Sequence, residues 1–189
     1  MVSNAIGWLA SHPDCVERTR ACCINLSGAT INTANIGFYR GLLETFDLPP
    51  EKLCFEVTES ATIANLHDAS RMIGKVRDFG SKFSLDDFGS GFCSFAQLKN
   101  LPTNLVKIDG QFVKSMARGA TDRAIVTAMN DVAHSLGRYT VAEYVESPEV
   151  IRLLKICGVD KVQGNYISPP LNELPVINIV NLQKHASAE

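Results

Sequence analysis

"SLDDFGSGFCSF", Ser84 to Phe95, sets two adjacent carboxylates, Asp86 and Asp87, against a glycine-punctuated turn. With Lys82 and Phe83 in front, its first half reads as a strand, "KFSLDDF" (Lys82 to Phe88), whose carboxyl end carries acids. Five other runs rich in β-branched, aromatic or cysteine residues have the same build: "ACCINLS" (Ala21 to Ser27), "LCFEVTE" (Leu53 to Glu59), "NLVKID" (Asn104 to Asp109), "YTVAEYVE" (Tyr139 to Glu146) and "VDKVQG" (Val159 to Gly164). Helical stretches lie between them. Ile63, Leu66, Ala69, Ile73 and Val76 recur at spacings of three and four over Ser60 to Phe79, and Ile125, Met129 and Val132 share a stripe within Thr121 to Leu136. Gly80 and Gly137 fall where a helix must stop.

Strands alternating with helices predict an α/β chain with a parallel sheet of right-handed βα units. Two topologies satisfy this, an open doubly wound sheet and a closed (β/α) barrel. No GxGxxG follows the first strand, so the dinucleotide-binding form of the open sheet loses its main support. A barrel needs eight strands and usually about 250 residues. Six predicted strands on 189 residues leave it about two strands short.

The 189 residues are 46% hydrophobic and 20% charged, the profile of one globular domain over 1–189, with 176–189 as a C-terminal tail. Net charge is −2 and the basic residues are scattered, so DNA is not an expected partner. No apolar run approaches the roughly 18 to 20 residues of a membrane segment, and the N-terminus lacks a signal-peptide pattern. The expected location is cytoplasmic. Six cysteines form no CxxC pair, which predicts buried reduced thiols rather than disulfides or zinc.

Polar residues close all six strands: Asn25, then Glu56 and Glu59, Asp86 and Asp87, Lys107 and Asp109, Glu143 and Glu146, and Gln163. In either topology ligands gather at these carboxyl ends. Because side chains alternate along a strand, only one member of each acidic pair is expected to face the site. Asp87 is the exception, since it begins the turn and can swing back. A single strand-end acid ordinarily caps a helix or faces solvent, and Asp109 in "DGQ" reads as such a cap. Carboxyl pairs on three strands with a lysine among them do not fit capping. Such acids repel one another and call for cations. Oxygen donors with amides suit Mg²⁺ or Mn²⁺. Two such ions about 3.5 to 4 Å apart clamp both oxygens of a phosphoryl displacement, and Lys107 would orient water or stabilise growing phosphate charge.

"INLSG" (Ile24 to Gly28), "FEVTES" (Phe55 to Ser60), "LDDFGSGFCSF" (Leu85 to Phe95), "LVKIDGQFV" (Leu105 to Val113), "VAEYVES" (Val141 to Ser147) and "VQGNYISPPL" (Val162 to Leu171) resemble, in order and spacing, the motifs of EAL domains, the cyclic di-GMP phosphodiesterases. The resemblance implies an incomplete (β/α)₈ TIM-type barrel, about six of its eight strands present, that hydrolyses cyclic di-GMP to linear pGpG with two ions of Mg²⁺ or Mn²⁺. By it, Asn25, Glu56 and Asp86 hold one ion, and Asp86, Asp87 and Glu143 hold the other. Lys107 contacts the nucleophilic water, Gln163 sits beside the site, and Glu143 joins them in the catalytic group. Gly89 and Gly91 hinge a loop braced by Glu59, and Glu146 gives outer support. The family's Glu-Ala-Leu strand is expected upstream of "AIGWLASHP", so one anionic ligand and the barrel's opening strands are expected to be missing. An open barrel edge predicts completion by another chain, as in a homodimer, or by upstream signalling domains. Two functions stay open: a phosphodiesterase, or a non-catalytic module that binds cyclic di-GMP or a protein in a signalling chain.

Overall fold

The structure, a computed structural model, describes residues 1–63, 66–91, 95–170 and 180–181. It divides into two compact units, Met1–Leu85 with Phe92–Thr103, and Asp86–Gly91 with Asn104–Glu189.

The first unit opens with helices α1 (Val2–Ala10) and α2 (Pro13–Arg18), then strand β1 (Cys22–Asn25), helix α3 (Ile36–Thr45), strand β2 (Leu53–Thr58), helices α4 (Glu59–Ile63) and α5 (Leu66–Asp78), strand β3 (Lys82–Phe88) and helix α6 (Phe95–Asn100). The strands follow in the order β1-β2-β3. β1 and β2 are parallel, with Cys22 opposite Leu53, Cys23 opposite Cys54, Ile24 opposite Phe55 and Asn25 opposite Glu56. β2 is buried on both faces through Val57, as expected of a parallel strand covered by helices. Of the predicted stripe, Ala69, Ile73 and Val76 are buried in α5, joined by Met72, while Leu66, and Ile63 of α4, are half-buried. Full burial of each larger member contributes about 1.5 to 3 kcal/mol relative to leaving it exposed. Tyr39 of α3 stacks on Phe55 at 5.2 Å between centroids. Lys52 donates to the carbonyls of Val16 at 2.6 Å and Thr19 at 2.7 Å, tying the end of α2 to the start of β2.

The second unit takes the last residues of β3, then strand β4 (Leu105–Ile108), helices α7 (Gly110–Ser115) and α8 (Ala120–Ser135), strand β5 (Tyr139–Ala142), helix α9 (Pro148–Ile156), strand β6 (Lys161–Val162) and strand β7 (Val180–Asn181). β4, β5 and β6 are parallel in sequence order, and β7 closes antiparallel on β6. Val106, Ile108, Val126, Ala133, Val141, Leu154 and Val162 fill this core. A buried polar network joins three elements. Asp160, 4% exposed, accepts from the Thr140 amide at 2.8 Å and pairs with His134 Nε2 at 2.8 Å. The Thr140 hydroxyl donates to Asn130 Oδ1 at 2.6 Å, and Asn130 Nδ2 donates to the Cys157 carbonyl at 3.1 Å.

All six predicted strands form, β3 over its whole expected span and the other five with shorter ends. β5 stops at Ala142 rather than Glu146, because Tyr144 takes a left-handed backbone at φ 52° that breaks the extended run. The helix expected over Ser60 to Phe79 is described as α4 and α5, with residues 64–65 outside the described residues. β7 lies within the segment read as a tail, whose other residues are outside the described ones, as are Phe92, Cys93 and Ser94 of the opening motif. The expected burial of the thiols holds for Cys54, but Cys23 on β1 is exposed.

Candidate metal centre

In the second unit the end of β3, the middle of β4 and the residue after β5 bring four charged side chains together. Lys107, 5% exposed, has Val141 as its Cα partner, and Glu143 lies two residues beyond Val141, on the same side of the ladder. The Glu143 amide donates to the Ile108 carbonyl at 3.3 Å, which holds its backbone to β4 past the end of β5. Lys107 Nζ sits 2.9 Å from Asp86 Oδ1 and 2.7 Å from Glu143 Oε1. The Asp86 and Glu143 side chains are only 13% and 10% exposed, so this is a buried ammonium between two carboxylates.

Asp87 joins them by breaking alternation. Its φ of 54° is left-handed, its amide donates to Asp86 Oδ1 at 3.1 Å, and Ser90 donates to its carbonyl at 3.1 Å. Oxygens of Asp86, Asp87 and Glu143 then lie within 4.8 Å of one another. Gly89 follows at φ 99°, where an added Cβ would collide with Met129 and come 2.9 Å from Phe112 Cε2. An L side chain is strained at this φ, and a Cβ would also force the Met129 and Phe112 side chains to shift.

Three acids are packed around one ammonium. Burial pushes the Glu143 carboxyl up to about 7, Lys107 opposes the shift, and Asp86 and Asp87 add to it. An all-oxygen donor set of three clustered acids fits a hard divalent cation.

Gln163, half-buried, follows β6 directly. Its amide donates to Ala142 at 2.8 Å and its carbonyl accepts from Val145 at 3.0 Å, so the backbone just past Glu143 is held from both sides. Gly164 comes next, and a Cβ there would collide with the backbone of Val145. Glu146 is exposed, and Gly91 ends the described part of its loop. Tyr144 turns outward: its ring lies against Gly110, with Lys114 Nζ 4.0 Å from the ring centre. Asp109 caps α7, accepting from Gln111 N at 2.6 Å, as "DGQ" implies.

In the first unit, Asn25 is exposed at the end of β1 and its Cα partner Glu56 is 6% exposed. Glu59, 1% exposed, begins α4, and the loop it is expected to brace continues through residues 92–94, outside the described residues. Beside Glu56 lie two residues the sequence reading set aside. Sulfurs of Cys23 and Cys54 and a Glu56 oxygen lie within 4.8 Å of one another. The signal was present, since Cys23 and Cys54 stand two residues before Asn25 and Glu56 and must share their face. The Cys23 thiol is pushed up by its hydrogen bond with Cys54, by burial of its sulfur and by the charges of Cys54 and Glu56.

A model of the EAL domain family matches residues 1–170. A cyclic di-GMP phosphodiesterase of Shewanella oneidensis, PdeB, is 39% identical over 171 residues, which cover 90% of this chain and 20% of the relative. The chain therefore spans about a fifth of that protein's length. Among solved structures, the PaMucR phosphodiesterase in complex with c-di-GMP superimposes with a TM-score of 0.82 at 29% identity, covering 90% of this chain and 69% of that one. A manganese and cyclic di-GMP complex of Klebsiella pneumoniae BlrP1 gives 0.80 at 25% identity, covering 89% and 44%. The fold class is thus α/β, an incomplete (β/α)₈ TIM-type barrel with six parallel strands. Among the described residues, no helix is long and apolar enough to cross a membrane.

Proposed function

Because this chain belongs to the EAL domain family, we propose that it hydrolyses one phosphodiester of cyclic di-GMP to linear pGpG with the help of two divalent ions, Mg²⁺ or Mn²⁺. The observation that carries this reading is Lys107 held at 2.9 and 2.7 Å between Asp86 and Glu143, with Asp87 turned into the same cluster. Asp86, Asp87 and Glu143 are the proposed ligands of one ion, and Asn25 and Glu56 are proposed ligands of the other. Bound ions would supply Lewis acidity at the phosphate and lower the pKa of the attacking water.

The chain's own residues do the rest. Lys107 is fixed by two carboxylates, so its ammonium needs no reorganisation to stabilise charge as it grows on phosphate oxygen. Asp86, braced by the same ammonium and by the Asp87 amide, keeps its second oxygen for a cation. Gln163, whose backbone holds the turn after Glu143, sets where that carboxylate stands. Gly89 lets the β3 loop turn sharply beside the acids.

The test is incubation of the full chain with cyclic di-GMP and Mn²⁺, with chromatographic separation of linear pGpG. Product formation that Asp86→Asn and Lys107→Met each abolish supports the assignment. Binding of the nucleotide by calorimetry without any product would instead make the chain a recognition module.

A further inference from the structure

The first unit holds a second set of metal-competent donors of different chemistry. Cys23 and Cys54 are Cα partners on adjacent parallel strands, and Asn25 and Glu56 are partners two residues on. Side chains at such positions point to one face, so the two thiols form a row beneath the amide and the carboxylate. Cys54 is 2% exposed and Glu56 6%, while Cys23, on β1, is an exposed residue whose sulfur is partly desolvated beside Cys54 and Glu56. Both thiols are free, and the two sulfurs and a Glu56 oxygen lie within 4.8 Å of one another.

Around a tetrahedral zinc ion, with Zn–S about 2.3 Å and Zn–O about 2.0 to 2.2 Å, donor atoms stand roughly 3.3 to 3.8 Å apart. The trio's donor atoms, all within 4.8 Å of one another, are spaced at most about an ångström beyond that range. Mg²⁺ and Ca²⁺ demand oxygen, whereas thiolates select zinc and other thiophilic ions. We propose that Cys23, Cys54 and Glu56 form a zinc-binding site, with the fourth position open on the exposed Cys23 side. It is invisible to spacing rules because its cysteines lie on separate strands and meet only through parallel register. The inference stands on the geometry of the first unit and does not depend on phosphodiester chemistry. If Glu56 also serves a hard cation, zinc competes for the same carboxylate.

The test uses the full chain kept reduced with a phosphine and titrated with Co²⁺ as a spectroscopic stand-in for zinc. A thiolate-to-cobalt charge-transfer band that saturates at one ion per chain and is bleached by Zn²⁺ is the expected result. The oxygen-only cluster of Asp86, Asp87 and Glu143 cannot produce such a band, so loss of turnover and loss of this site remain distinguishable. Cys23→Ser and Cys54→Ser should each weaken Co²⁺ binding more than tenfold, and Cys157→Ser should leave it unchanged. Cys23→Ser is the decisive variant, since serine at an exposed edge position leaves the fold intact by circular dichroism. No charge-transfer band, or one that survives both substitutions together, overturns the proposal.

Discussion

The acids of the second unit gather at strand carboxyl ends and the thiols of the first lie near the starts of β1 and β2, and the two clusters are assembled by different means. Cys23, Cys54 and Glu56 meet through strand alternation and register alone. Asp86, Asp87 and Glu143 meet only because Asp87 adopts a left-handed backbone and Lys107 stands between two of the acids. The difference follows from the cost of burial. A neutral thiol behaves as a small apolar group and can be packed cheaply, whereas a carboxylate needs partners. The acid cluster therefore carries its own cation and a strained turn.

The largest test of this contrast is Lys107→Met. Removing one partner of a buried ion pair costs about 3 to 5 kcal/mol, read as a drop in urea unfolding free energy, and Mn²⁺ should restore part of it. A loss below about 1 kcal/mol would mean the ammonium is not what holds the acids.

A second test uses pH. Glu143 keeps its proton in the folded chain up to about 7, whereas the unfolded chain releases it in the ordinary carboxylate range near 4.5. Between those values the unfolded state holds fewer protons, so the stability contribution present at low pH is lost as pH rises. With a chelator present, melting temperature should fall across that window, and Glu143→Gln should flatten the slope. An unchanged slope in that variant would assign the effect to another group.

Cys54→Ser should cost less, about 1 to 2 kcal/mol, the price of a buried hydroxyl. It should leave the pH slope untouched. The smallest effect belongs to Asp109→Ala, about 1 kcal/mol for a lost helix cap, with no change in metal affinity by calorimetry. Weakened Mn²⁺ binding there would move Asp109 from capping to ligation.

The alternation of strands and helices was legible because each strand is a short apolar run closed by a polar residue, and each long helix carries a clear stripe. The acid cluster was legible for the same reason, and Asp87 because a residue that opens a glycine turn is free of the strand's pleat. What the residues did not reveal depended on backbone conformation or pairing. Tyr144 is no turn residue by type, yet its positive φ ends β5 four residues early. Cys23 and Cys54 are 31 positions apart, and only register sets them side by side.

The Asp160 network has a consequence of its own. One buried carboxylate receives the Thr140 amide and the His134 ring, and the Thr140 hydroxyl receives the Asp160 amide at 3.3 Å while donating to Asn130. Peeling β5 from β6 at this end would expose an unpaired buried charge, so small fraying motions are suppressed where Thr140 begins its ladder. Deuterium should enter the Thr140 amide only through opening of the whole unit, making it one of the slowest protons in the chain to exchange. The turn three residues further on, which carries Glu143, is in this sense anchored from behind.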